Sequence, residues 1–209
     1  MKLSEGIKLK GKGRIEIPDC GRDDLPQFFV DLGYKTGVEI GVYKGEYTKK
    51  FCEVGLKMHA VDPWKQYKDY QPKRSNYKER QEFLYEHTKR YLAPYDCKVI
   101  RKTSMEAVED FKDESLDFVY IDGHHGLKYV IEDIYGWSWK VKKGGMISGH
   151  DYGLTTNNPE SPFVLQVKYA VDTYAKAFKI KKWYVLGRKE KREGEVRDEK
   201  FRSWMWFKE

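Results

Sequence analysis

Val38-Glu39-Ile40-Gly41-Val42-Tyr43-Lys44-Gly45 is the stretch on which the reading of this chain turns. Its apolar start, cut off by Gly41, has the length of a buried strand, and Glu46 to Val54 continues in a helical pattern closed by Gly55. A strand, a glycine turn and a helix in that order open a parallel α/β unit, in which ligands gather beyond the carboxyl ends of the strands. The two glycines stand where the backbone must turn sharply and let a ligand come close. A dinucleotide site needs a third, central glycine against its pyrophosphate. Tyr43 occupies that place, so a ligand without a pyrophosphate fits better.

Working outward, Met58 to Val61, Lys98 to Arg101, Leu116 to Ile121 and Met146 to Ser148 read as further short strands. Helices are predicted at Tyr77 to Leu92, at Thr103 to Phe111 behind a Thr103/Glu106 capping box, and at Gly126 to Trp139 before a Gly144-Gly145 turn. A further helix carries Phe163, Val167, Ala170, Val171 and Tyr174. Trp183 to Gly187 and Ser203 to Phe207 then follow as two aromatic strands joined by the charged loop Arg188 to Lys200, which makes one strand antiparallel. Upstream, Leu25, Phe28, Phe29 and Leu32 mark a helix over Asp24 to Tyr34. The expectation is one α/β domain over residues 1–209, with residues 1–24 as an N-terminal extension. Residues 64–95 exceed what a crossover needs and are expected to be an insertion and lid, in which Tyr67, Tyr70 and Tyr77 either stack on an acceptor ring or pack.

Bulk composition narrows the classes. With 40% hydrophobic and 35% charged residues the chain has a core and a solvated exterior, and no stretch approaches the length of a membrane span. The basic N-terminus lacks the apolar core of a signal peptide, so a cytoplasmic location without membrane partners is expected. Cys20, Cys52 and Cys97 are widely spaced and form neither a disulfide framework nor a zinc motif. A net charge of +7 invites a nucleic-acid partner, but 40 basic residues are mixed with 33 acidic ones, which reads first as solubility.

The strand ends carry the chemistry. Asp62 closes the second strand, where an acid can accept hydrogen bonds from both hydroxyls of a ribose, so a ribose is expected there; the alternative is a turn or cap aspartate before Pro63. Thr103, Ser104 and Met105 after the third strand could line an adenine, though capping alone accounts for Thr103. Tyr120-Ile121-Asp122-Gly123-His124-His125 and Ile147-Ser148-Gly149-His150-Asp151-Tyr152 close the fourth and fifth. If those strands are neighbours, about 4.8 Å apart, Asp122 and Asp151 converge on one hard cation, magnesium or manganese.

The order Glu39-x-Gly41-x-x-x-Gly45, Asp62, Ser104, Asp122 resembles the class I S-adenosylmethionine-dependent methyltransferases over roughly residues 35 to 180. The resemblance implies a Rossmann-like three-layer α/β/α sandwich whose seven-stranded, mostly parallel sheet has one antiparallel strand. It implies that Glu39 and the Gly41 loop, including Tyr43 and Gly45, hold the methionine part of S-adenosylmethionine. Asp62 with Pro63 and Trp64 would border the ribose, Ser104 and Met105 the adenine, and Asp122 would also touch the cofactor. The Asp122-Gly123-x-His125 and Gly149-His150-Asp151-Tyr152 pattern is similar to the small-molecule and sugar O-methyltransferases, the catechol and macrocin enzymes among them. In those relatives acids after strands four and five bind magnesium, which puts Asp122, His150 and Asp151 at the metal and Asp122 and His125 in catalysis. Imidazole is a poor magnesium ligand, so His150 faces elsewhere, or the site prefers manganese, or no metal binds. His125 is a general base or a solvated residue at a helix start.

The leading expectation is thus methyl transfer to a hydroxyl of a small molecule or saccharide. An RNA or DNA methyltransferase using the basic surface, and a non-catalytic cofactor-binding module, are the alternatives. A homo-oligomer is compatible with either.

Overall fold

The computed structural model describes residues 2–65, 77–153, 165–187 and 201–209. The elements run in the order α1 (Leu3–Gly6), β1 (Gly13–Ile17), α2 (Leu25–Asp31), β2 (Thr36–Ile40), α3 (Glu46–Glu53), β3 (Lys57–Val61), α4 (Tyr77–Leu92) and β4 (Cys97–Ile100). They continue with α5 (Ser104–Ala107), β5 (Leu116–Ile121), α6 (Leu127–Lys140), β6 (Val141–Tyr152), α7 (Val167–Ala177), β7 (Lys182–Leu186) and β8 (Arg202–Phe207). One mixed sheet has the order β1-β7-β8-β6-β5-β2-β3-β4, parallel except for β8, which runs antiparallel to both β6 and β7.

Strand periodicity sorts the core into two layers. Along β5, Phe118 and Tyr120 join Phe29, Phe51 and Tyr47 beneath α2 and α3, while Val119 and Ile121 join Ile134, Trp137 and Val171 beneath α6 and α7. The result is the expected Rossmann-like α/β/α sandwich. Its sheet has eight strands where seven were expected, because β1 pairs in parallel with β7 from Gly13↔Lys182 to Ile17↔Leu186. The short alternation Arg14-Ile15-Glu16-Ile17 is weak as a strand signal, and docking on β7 is what makes it one, burying Ile17 completely.

The Gly144-Gly145 turn is also corrected. It is an irregularity inside β6, where the pairing with β5 jumps from Leu116↔Val141 to Phe118↔Met146. The Thr103 capping box is present and opens only one α-helical turn before the chain tightens into a 3-10 turn at Val108–Asp110. Tyr67, Tyr70, Phe163 and the charged segment 188–200 lie outside the described residues. Among the described residues no helix is long and apolar enough to cross a membrane.

The chain leaves β2 outward through β3 and β4, then returns to β5 and proceeds the other way through β6. The switch point therefore falls between β2 and β5. The carboxyl ends of β3, β2, β5 and β6 are successive neighbours, which sets Asp62, Gly41, Asp122 and Asp151 along one rim.

Candidate active site

The β2–α3 loop is shaped to touch what lies beside it. Gly41 has φ +89°, and a Cβ there would stand 2.3 Å from the Asp122 carbonyl oxygen. Only glycine lets the ends of β2 and β5 come this close. Tyr43 is itself in the left-handed region at φ +53°, and its surroundings hold it there. Its N–H donates to Asp62 Oδ2 at 3.0 Å, and its carbonyl accepts from Trp64 Nε1 and Thr88 Oγ1, each at 2.9 Å. Trp64, at φ +41° and nearly fully buried, donates its own N–H to Asp62 Oδ1 at 2.7 Å. Asp62 thus ties two loops together through both oxygens, and burial pushes its carboxyl up. The two oxygens together still have accepting capacity for a further donor.

Glu39, the last but one residue of β2, is only 2% exposed and accepts a hydrogen bond from the Thr48 hydroxyl. Burial, reinforced by the nearby Asp122 and opposed by Thr48 and Arg22, pushes its carboxyl up to about 8. At neutral pH it is mostly a neutral acid, buried at the point where the loop opens.

Across the rim, Asp122, His125 and Asp151 each present a ligand-type atom within 4.8 Å of the others. His125 Nε2 is 2.8 Å from Asp151 Oδ2 and 3.8 Å from Asp122 Oδ1. His150 Nδ1 lies 3.1 Å from Asp151 Oδ1 and 3.9 Å from Asp122 Oδ1, so both histidines flank the carboxylate pair. Burial alone pulls the His125 imidazolium down, yet the adjacent carboxylates of Asp122 and Asp151 prevail and raise it to about 9. Burial likewise pushes the Asp151 carboxyl up, and the two histidines outweigh that and hold it well below the usual range. Asp151 is in the left-handed region at φ +54°, the turn that brings its side chain back beneath His125.

On the far side of the rim, Ser104 Oγ accepts from Trp137 Nε1 at 2.8 Å and bonds to Asp133, a carboxyl that burial pushes up to about 7. Met105 packs towards Gly136 on α6. Pro63 is half-buried between Asp62 and Trp64.

Two neighbours of the site carry no local signal in the sequence. Thr48, in the first turn of α3, is legible only once Glu39 is known to be buried beside it. Arg22, from the segment read as an extension, sends Nη1 to within 3.7 Å of Asp122 Oδ2.

A family model described as a methyltransferase domain matches residues 38–152, more than half of the chain and the part that holds every strand end described above. The chain belongs to this methyltransferase family. No curated protein matches it. Among solved structures, the methyltransferase is similar to an O-methyltransferase from Bacillus cereus in complex with SAH, with a TM-score of 0.56 at 14% identity over 90% of this chain and 80% of that one. It is similar to the N-methyltransferase NodS from Bradyrhizobium japonicum, with a TM-score of 0.56 at 11% identity over 90% and 94%. It is also similar to an rRNA methylase from Streptococcus thermophilus, with a TM-score of 0.57 at 13% identity over 88% and 93%. Their names point to different acceptors, an oxygen, a nitrogen and an rRNA, so what they share with the methyltransferase is its fold.

Proposed function

We propose that this methyltransferase, acting as a single domain over residues 1–209, moves the methyl group of S-adenosylmethionine to a hydroxyl of a small molecule or saccharide. The observation that carries the reading is the shared rim, which sets a glycine cradle and a ribose-type aspartate at one end and two carboxylates with two histidines at the other. In this reading Glu39 takes the donor's ammonium and the Gly41–Gly45 loop passes along its methionine part. Asp62, already fixed by two amides, accepts from the ribose hydroxyls. Ser104 and Met105 border the adenine, with the Ser104 hydroxyl itself engaged by Trp137.

The acceptor end fits a divalent cation by the carboxylates of Asp122 and Asp151, with His150, whose Nδ1 lies 3.1 Å from Asp151 Oδ1, as the nitrogen donor beside them. With His150 beside the carboxylates, mixed nitrogen and oxygen donors suit manganese better than magnesium, and His125 is kept for the proton. When bound, such an ion lowers the pKa of an acceptor hydroxyl and fixes its direction. His125 carries its proton in the arrangement seen here. It becomes a base for the hydroxyl once the field of the two carboxylates is neutralised. The larger contribution of the chain is alignment, holding an oxygen in line with the methyl carbon and sulfur.

The test is methyl transfer from a labelled donor to a panel of catechols and saccharides, with and without a chelator. Label in a hydroxyl position that disappears on chelation and returns with manganese supports the full reading. Transfer unaffected by chelation removes the metal from it, and label only in amines or nucleic acid overturns the acceptor. The net charge of +7 favours one second reading, a nucleic-acid acceptor. It requires RNA or DNA binding that weakens steeply with salt.

A further inference from the structure

Arg22 lies in a one-turn 3-10 helix, Arg22–Asp24, whose start is closed by the Gly21 N–H donating to Asp24 Oδ2 at 2.7 Å. Its carbonyl accepts from the Tyr47 hydroxyl at 2.6 Å, and its guanidinium carbon stands 4.4 Å from the centre of the Tyr47 ring. Tyr47 belongs to the first turn of α3, directly after Gly45, so the guanidinium is pinned above the end of the glycine loop. A guanidinium lying over a ring keeps its in-plane N–H groups directed outward from the edge. The ion pair with Asp122 at 3.7 Å is too long to be a hydrogen bond. The side chain keeps 36% of its surface exposed, and its positive charge is felt at Glu39.

We propose that Arg22 binds the α-carboxylate of the methyl donor, opposite Glu39 at its ammonium, so that the two side chains together read an α-amino-acid zwitterion. This rests on the donor assignment above. Chemically the pair is complementary to such a group. A guanidinium matches a carboxylate with two parallel N–H donors, and a buried carboxyl takes the ammonium. The N-terminal segment is then part of the cofactor site, and Tyr47 positions Arg22 through the stacked ring and the hydrogen bond to its carbonyl.

The experiment compares S-adenosylhomocysteine with its decarboxylated analogue, which keeps the amine, thioether and adenosine. Titration calorimetry would measure both against the wild type, Arg22→Met and Arg22→Lys. The wild type should prefer the carboxylated ligand by roughly 10- to 100-fold, the worth of a charge-assisted hydrogen bond. Arg22→Met should lose that preference while binding the analogue as the wild type does, and unchanged analogue binding also shows that the variant is folded. Arg22→Lys should keep part of the preference, since its charge survives without the fork. A preference left intact in both variants overturns the proposal, as does equal weakening of both ligands. Should Arg22→Met not fold, the lysine variant decides alone, and an unchanged ratio overturns. A wild type that binds neither ligand overturns the donor assignment itself, a different failure from an Arg22 that does not discriminate.

Discussion

Glu39 is held in a place that disfavours its charge, and this has a measurable consequence. Burial first, then the field of Asp122, raises its carboxyl from the ordinary 4.5 to about 8 in the folded chain. Between those values the native state binds more protons than the unfolded one, so the stability this group contributes is complete below about 4.5 and is lost as pH rises towards about 8. Urea denaturation of wild type and Glu39→Gln from pH 5 to 9 checks this. The difference should move in favour of the glutamine variant as pH rises, and a pH-independent difference contradicts it. The same group couples ligand to proton. If Glu39 pairs with an ammonium, S-adenosylhomocysteine should bind more tightly as pH rises towards about 8, and Glu39→Gln should flatten that slope. At this scale the sequence shows which residue types stand at the strand ends, and it points to Glu39, Asp62, Asp122 and Asp151. It is silent on Thr48 and Arg22, whose importance arises from distances across the fold.

The glycine loop and α4 act as one element pair. Thr88 on α4 is fully buried, and its hydroxyl lies 2.9 Å from the Tyr43 carbonyl and 2.8 Å from that of Leu84. Thr88→Val keeps the shape and removes the donor, so it should cost about 1 kcal/mol in denaturant unfolding. It should also weaken S-adenosylhomocysteine more than Thr88→Ser does, because Tyr43 loses a restraint on its left-handed backbone; equal affinity in both variants contradicts the coupling. The α4 helix itself is plain in the sequence, and its boundaries agree with Tyr77–Leu92. Its hold on the glycine loop is not, since nothing in a helical repeat says which strand end it will meet. β1 was hidden for a related reason. Five residues of mixed polarity become a strand only when β7 offers an edge.

That edge matters for the molecule as a whole. β1 closes the sheet at β7, and α1 packs Leu3 into the layer that also holds Leu25 and Tyr184. The Ile7 carbonyl accepts from Tyr184 Oη at 2.8 Å and Lys182 Nζ at 3.0 Å. Deleting residues 1–17 would expose the edge of β7 and the apolar surface under Leu3 and Ile17, each worth about 2 kcal/mol. Thermal unfolding should fall by roughly 10 °C with visible association, and a truncated chain that melts like the full one contradicts the role given to β1.

The fold class, the order of most elements and the rim were readable because strand periodicity and punctuating glycines are local signals. The eighth strand and the β6 irregularity were not, because both depend on neighbouring strands. The central claim for the whole molecule is that the ends of β2, β3, β5 and β6 make one donor site. It is tested most directly by titrating S-adenosylhomocysteine into wild type and Asp62→Ala. The account predicts saturable one-to-one binding in the wild type and a loss of at least about tenfold in the variant. Absence of binding, or the same affinity in both proteins, would contradict it.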